Sequence, residues 1–226
     1  MARTNFDNEL RSLQAEILRL GSEVETNLLR AADVLINLDQ LEAQKLVKAD
    51  EWVNERRVEI GMAGLTLIAT QQPMAVDMRT IAAAIEIAGE LERIHDYIKG
   101  IGKITLMIGP EANVDELVRQ MRPMALKTQK MLKRSLMAFA NRNTQLARTI
   151  PEDDDEVDAL YNDASRTIVH YMAVNPVQFE LGQRLEWAAH NFERSADRVT
   201  NICEWVLYMT TGKYSEINER MQTMSE

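Results

Sequence analysis

The chain has 226 residues, 46 % of them hydrophobic and 27 % charged, with nine glycines and five prolines. That length suits one large domain or two small ones, and so few turn formers leave little room for a many-stranded sheet protein. A net charge of −9 argues against nucleic acid or anionic membrane as a partner through overall charge, and the single Cys203 excludes an intrachain disulfide.

The N-terminus, Met1 to Asp7, has no apolar stretch behind its charge and does not read as a signal peptide. A first helix follows. Its stripe is Leu10, Leu13, Ile17, Leu20, Val24, Leu28, Ala31, Leu35 and Leu38, spaced by threes and fours. Asp39 is a candidate N-cap for a second helix, which carries Leu46, Ala49, Val53, Ile60 and Leu67 and ends at Gln72-Pro73. The third helix has Ile87, Leu91, Ile94, Ile98 and Ile101 on its stripe and stops near Gly109-Pro110. The apolar runs 61–69 and 81–87 are too short to span a bilayer, so the expected location is cytoplasmic.

A fourth helix is expected from about Asn113 to the Asn141–Asn143 turn, with Pro123 kinking its start or marking a late one. A fifth begins near Thr144, bends at Pro151 and continues through Met172. A sixth runs from near Pro176 to Gly212, a suitable C-cap. The expected fold is all-α: two tandem three-helix bundles side by side, residues 1–110 and 111–212, with a polar tail at 213–226.

The halves repeat. Leu91-Glu92-Arg93-Ile94-His95-Asp96 matches Phe192-Glu193-Arg194-Ser195-Ala196-Asp197, and Asp50-Glu51-Trp52-Val53-Asn54 matches Asp154-Asp155-Glu156-Val157-Asp158. With Leu91 and Phe192 in heptad position a, Glu92 and Glu193 fall at b, and Asp96 and Asp197 at f. With Val53 and Val157 at a, Asp50 and Asp154 fall at e, and Asn54 and Asp158 at b. Each half therefore carries two i,i+4 oxygen pairs on neighbouring helices, placed by this phase outside the core. Oxygen donors so arranged suit hard cations or ferric-type clusters. A single acidic pair would be a solvated face. Like charges one turn apart cost about a few tenths of a kcal/mol, and their recurrence in both halves favours a ligand role. Arg93 and Arg194 offer the competing explanation, neutralising the acids from within the chain.

Other chemistry is thinner. Glu92-x-x-His95 has the spacing of di-iron bundle ligands, but Glu92 is expected to face out and Ala196 replaces the histidine in the second half. The acidic run Glu152–Glu156 reads as a helix N-terminus. No phosphate-cradling glycine loop is present.

Three segments carry a family likeness: Gln71-Gln72-Pro73-Met74-Ala75-Val76-Asp77-Met78-Arg79, Leu91–Asp96, and Phe192–Ile202 with its Glu193-Arg194-x-x-Asp197. The chain resembles the PhoU family of phosphate-transport accessory proteins, negative regulators of the phosphate-starvation response. The resemblance implies two similar three-helix bundles and surface Glu/Asp-x-x-x-Asp pairs that hold metal, as iron or zinc clusters or as Mg or Mn, with no metal required for the fold. Those pairs map onto Glu92 with Asp96, Asp154 with Asp158, Glu193 with Asp197 and, less completely, Asp50 with Asn54, whose amide is a weaker ligand. The second half has Val177–Leu181 where the first has Ala75–Arg79. This points to partner contact by Asp77 and Arg79, with Arg93 and Arg194 as further candidates.

The resemblance further implies a regulator rather than an enzyme. Its partners would be a sensor histidine kinase and the ATPase of the phosphate ABC importer. It would be a homodimer, reaching the inner membrane only through partners. The alternatives are a metal-binding helical bundle or di-iron-type enzyme, and a plain helical scaffold.

Overall fold

The computed structural model describes residues 2–214, and every regular element among them is helical. Helix α1 is Ala2–Asn37, α2 is Gln40–Gln71 and α3 is Ala75–Ile108. In the second half α4 is Met121–Asn141, a short α5 is Thr144–Thr149, α6 is Asp154–Val174 and α7 is Phe179–Thr211. Single 3-10 turns, Pro151–Asp153 and Pro176–Gln178, lead into α6 and α7. Six of these helices are long, as the periodicity predicts.

Local chemistry sets the boundaries. The Asp39 carboxylate accepts the amides of Leu41 and Glu42, both at 3.0 Å, and so caps α2. Gln72 turns left-handed (φ 45°) and donates its amide to the Ile68 carbonyl, after which Pro73 prevents continuation. Gly109 (φ 81°) and Gly212 (φ 73°) end α3 and α7 in conformations that a Cβ would disfavour. The fourth helix starts later than Asn113. Residues 115–120 form turns, with the Leu117 amide bonded to the Val114 carbonyl at 2.8 Å. Pro123 then falls in the first turn of α4, where a missing N–H breaks no helical bond. From residue 215 onward the expected polar tail lies outside the described residues.

Four helices enclose the centre. α1 packs on α3, α3 on α7, α7 on α4 and α4 on α1, and the α3–α7 contact is the most extensive. α2 lies outside this ring against α3 and α1, and α6 lies outside it against α7 and α4. The apolar core runs continuously through both halves: Leu28, Ile87, Leu91 and Ile94 belong to the same cluster as Phe139, Phe192 and Val199. Gly102 lets α3 approach the start of α2; a Cβ there would sit 3.2 Å from the Ala43 carbonyl oxygen. The seam between halves is also polar. Asn201 donates to buried Glu90 at 3.2 Å, Arg198 lies 3.6 Å from the same carboxylate, and Arg142 reaches Thr80 Oγ1 at 3.3 Å. No helix among the described residues is long and apolar enough to cross a membrane.

Candidate functional site

The two acid sets occupy equivalent grooves, one between α2 and α3 and the other between α6 and α7, yet their surroundings differ. In the first groove Asp50 is buried, contrary to the expectation that it stands outside the core. The buried residues of α2 run Ala43, Leu46, Asp50, Val53, Ile60, Gly64 and Leu67. Leu46, Val53, Ile60 and Leu67 are buried as their spacing predicts, but Asp50 takes the place of Ala49, because α2 packs on both α1 and α3 and so buries a face wide enough to include it.

Buried Asp50 is fully partnered. His95 Nδ1 is 3.2 Å from Oδ1, while Lys99 Nζ is 2.5 Å and Asn54 Nδ2 2.9 Å from Oδ2. The fully buried His95 imidazole also meets Asn27 Nδ2 through Nε2 at 3.3 Å. A neutral ring protonated on Nδ1 donates to Asp50 and accepts from Asn27, satisfying both nitrogens. Burial favours that neutral form, holding the imidazole below its ordinary range against the pull of Asp50. Lys99 also lies 3.2 Å from Asp96 Oδ1, and its hydrogen bond to Asp50 is the main force raising its own affinity for the proton. Glu92 is half-buried; burial and then Asp96 push its carboxyl up, and Arg57 partly offsets them.

The second groove holds Asp154 and Asp158 on α6 and Glu193 and Asp197 on α7. Here the chain satisfies the acids less completely. Asp154 Oδ1 is buried without a hydrogen-bond partner among the described residues, and buried Glu193 Oε2 has no well-aligned hydrogen bond, only the His190 ring beside it. Burial, followed by repulsion from Asp158, Asp197, Glu193 and Asp155, pushes Asp154 up to about 7. Glu193 is likewise pushed to about 7 by burial and then by Asp197 and Asp158. Exposed Asp158 is raised by its partial desolvation and by Asp197 and Asp155. Arg194 lies 3.4 Å from Asp197, but it also hydrogen-bonds Tyr97, the largest cause of its own raised affinity for the proton. His190 Nδ1 lies 3.2 Å from Glu193 Oε2.

The cause is legible position by position. Superposing Asp50 on Asp154 and Leu91 on Phe192 puts Lys99 opposite Thr200, His95 opposite Ala196, and Arg57 opposite Tyr161. Three basic or hydrogen-bonding side chains of the first groove are thus replaced by groups without positive charge, and Asn54 by Asp158. In donor chemistry the second groove fits a hard cation; the first already contains an ammonium. Among the described residues no three His, Cys, Asp or Glu side chains converge as a ready ligand shell.

The remaining candidates are scattered. Arg79 is directed at the C-terminus of α7, its Nε 3.4 Å from the Met209 carbonyl, so it joins the two halves. Asp77 is half-buried, and the same segment exposes Met74, Val76 and Met78. Arg93 is exposed on α3. His95 and Glu92 do not form a di-iron pair, since the imidazole is enclosed between Asn27 and Asp50 while the carboxylate lies in the α2–α3 groove. Sequence reasoning missed Lys99, although its i,i+3 spacing from Asp96 marks it as a neutralising partner. It also missed Glu186 in the second groove, whose Oε1 accepts from Tyr161 and Ser165 at 3.1 and 2.9 Å.

Comparison with known proteins places both grooves in one repeated domain. The PhoU domain model matches residues 17–105 and again 121–206. A phosphate-specific transport system accessory protein PhoU homolog of Clostridium acetobutylicum is 31 % identical over 220 residues, spanning 97 % of this chain and 100 % of its own length. A homolog of the same description from Caulobacter vibrioides is 34 % identical over 209 residues, spanning 92 % and 91 %. The crystal structure of PhoU from Pseudomonas aeruginosa superposes with a TM-score of 0.86 at 29 % identity, over 92 % of this chain and 100 % of that one. The phosphate transport system regulatory protein PhoU from Streptococcus pneumoniae superposes at 0.84 with 27 % identity, over 93 % and 99 %. With both halves matched by one domain model and the whole helical arrangement shared with these structures, the chain belongs to the PhoU family.

Proposed function

We propose that this chain is an accessory regulator of phosphate transport that restrains phosphate uptake and the phosphate-starvation response when phosphate is plentiful. Its relatives are accessory proteins of the phosphate-specific transport system, which supports the general role. The observation that carries the reading further is the α6–α7 acid set, four carboxylates on neighbouring helices with Asp154 Oδ1 buried and unpartnered among the described residues. Such a set favours a cation or a basic contact over its own free state. Asp154, Asp158, Glu193 and Asp197 would hold the metal, which when bound supplies positive charge to neutralise their repulsion.

The partners in this reading are the ATPase of the phosphate importer and a sensor histidine kinase. The protein works from the cytoplasmic side as a homodimer, and the Met74–Arg79 segment contributes to partner contact. Regulation by binding alone requires a difference in affinity: the chain must hold the inactive state of its partner more tightly than the active one. The test is deletion of the gene with an alkaline phosphatase assay in phosphate-rich medium. High phosphatase activity is expected, restored to repression by the wild-type gene. Full repression in the deletion strain rejects the regulatory role.

A further inference from the structure

We propose that Lys99 is the resident cation of the first repeat, so that the chain carries one divalent-metal site, between α6 and α7, and the α2–α3 groove is closed to metal. The proposal rests on the metal reading of the α6–α7 set and adds what distinguishes the two repeats. Its basis is the position of the ammonium. Lys99 Nζ stands 2.5 Å from Asp50 Oδ2 and 3.2 Å from Asp96 Oδ1, between an acid of α2 and an acid of α3. A metal bridging those helices would need the same space. The other Asp50 oxygen faces the His95 ring at 3.2 Å, and Asn54 turns its donor nitrogen, not its oxygen, toward Asp50. Three of the possible donors in this groove are therefore engaged with one another or with Lys99.

Charge argues in the same direction. A divalent ion entering beside a fixed ammonium meets repulsion at close range, and this is strongest where one carboxylate is buried. Lysine suits the role because its ammonium is a compact point charge on a flexible stem, able to contact two carboxylates from one helix. At the equivalent place in the second repeat stands Thr200, which brings no charge; Asp154 Oδ1 on α6 is unpartnered among the described residues, and the contacts of Glu193 and Asp197 with His190 and Arg194 stay within α7 and do not bridge the groove. Gene duplication would leave two like grooves. In this chain one has been neutralised internally and the other remains open to an ion from solution, so metal can alter only one face of the molecule.

The experiment is Mn2+ equilibrium dialysis on the full chain, with bound metal read by atomic absorption and folding checked by circular dichroism. Wild type is expected to bind only at the second repeat, with all bound Mn2+ lost in the Glu193→Gln, Asp197→Asn double variant. Lys99→Met is expected to gain an additional equivalent that a further Glu92→Gln removes, whereas Lys99→Arg keeps the charge and behaves as wild type. Lys99→Gln replaces Lys99→Met if the latter does not fold. Mn2+ retained by the Glu193→Gln, Asp197→Asn variant and lost on Glu92→Gln overturns the proposal. If wild type binds no Mn2+ at all, the α6–α7 metal reading fails by itself. Lys99→Met then decides separately: a gained equivalent supports the role of Lys99, and no gain overturns it.

Discussion

Asp154 and Glu193 show how a single site couples charge to stability. Both carboxyls are raised to about 7 in the folded chain, from ordinary values of 3.8 and 4.5. Between about pH 4 and pH 7 the folded protein therefore binds more protons than the unfolded one, so stability falls as pH rises through that window and the loss is complete above it. In chelator-treated protein, Asp154→Asn should flatten this fall. It should also raise stability at pH 8 by about 1 kcal/mol, a value held down by solvent screening at a half-exposed site and equivalent to roughly 2–4 °C in Tm. Melting curves from pH 4 to 9 check this, and parallel profiles for variant and wild type would refute it. The acids themselves were visible in the sequence, because their repeat in both halves is a matter of spacing. Their protonation was not. It depends on whether Lys99 or Thr200 stands across the groove, and the burial of Asp50 depends on which neighbours α2 meets.

At the scale of helices, most boundaries were legible because each rests on one or two residues. Asp39, Pro73, Gly109 and Gly212 act where the sequence places them. The start of α4 was less so: apolar Val114, Leu117 and Val118 carry the helical spacing, yet they are buried on turns that precede Pro123. Burial there is satisfied without a helix, and periodicity cannot separate the two. The cap at Asp39 offers a direct measure of a local term. Its carboxylate holds two amides at 3.0 Å on an exposed turn, so Asp39→Ala should destabilise the chain by about 1 kcal/mol, while Asp39→Asn or Asp39→Ser retains most of the stability. Urea unfolding of the three variants tests this, and equal stability for Ala and Asn would show that the cap contributes nothing.

For the molecule as a whole, the repeat invites a division that the packing opposes. Two bundles with separate cores would expose little when parted. Here α3 and α7 form the most extensive contact, the apolar cluster crosses between them, and Glu90 is buried against Arg198 and Asn201 of the other half. Separating the halves would strand that carboxylate and uncover the apolar flanks of both central helices, a cost large enough to tie the halves into one cooperative unit. Three tryptophans allow the test. Trp52 lies on α2, and Trp187 and Trp205 lie on α7. A variant keeping only Trp52 reports the first half by fluorescence, and one keeping only Trp205 reports the second, with Phe at the other positions. Each should unfold at the midpoint that circular dichroism gives for the same variant. A fluorescence transition at lower urea than the loss of helix, in either variant, would mean that one repeat unfolds while the other persists and that the continuous core does not bind them together.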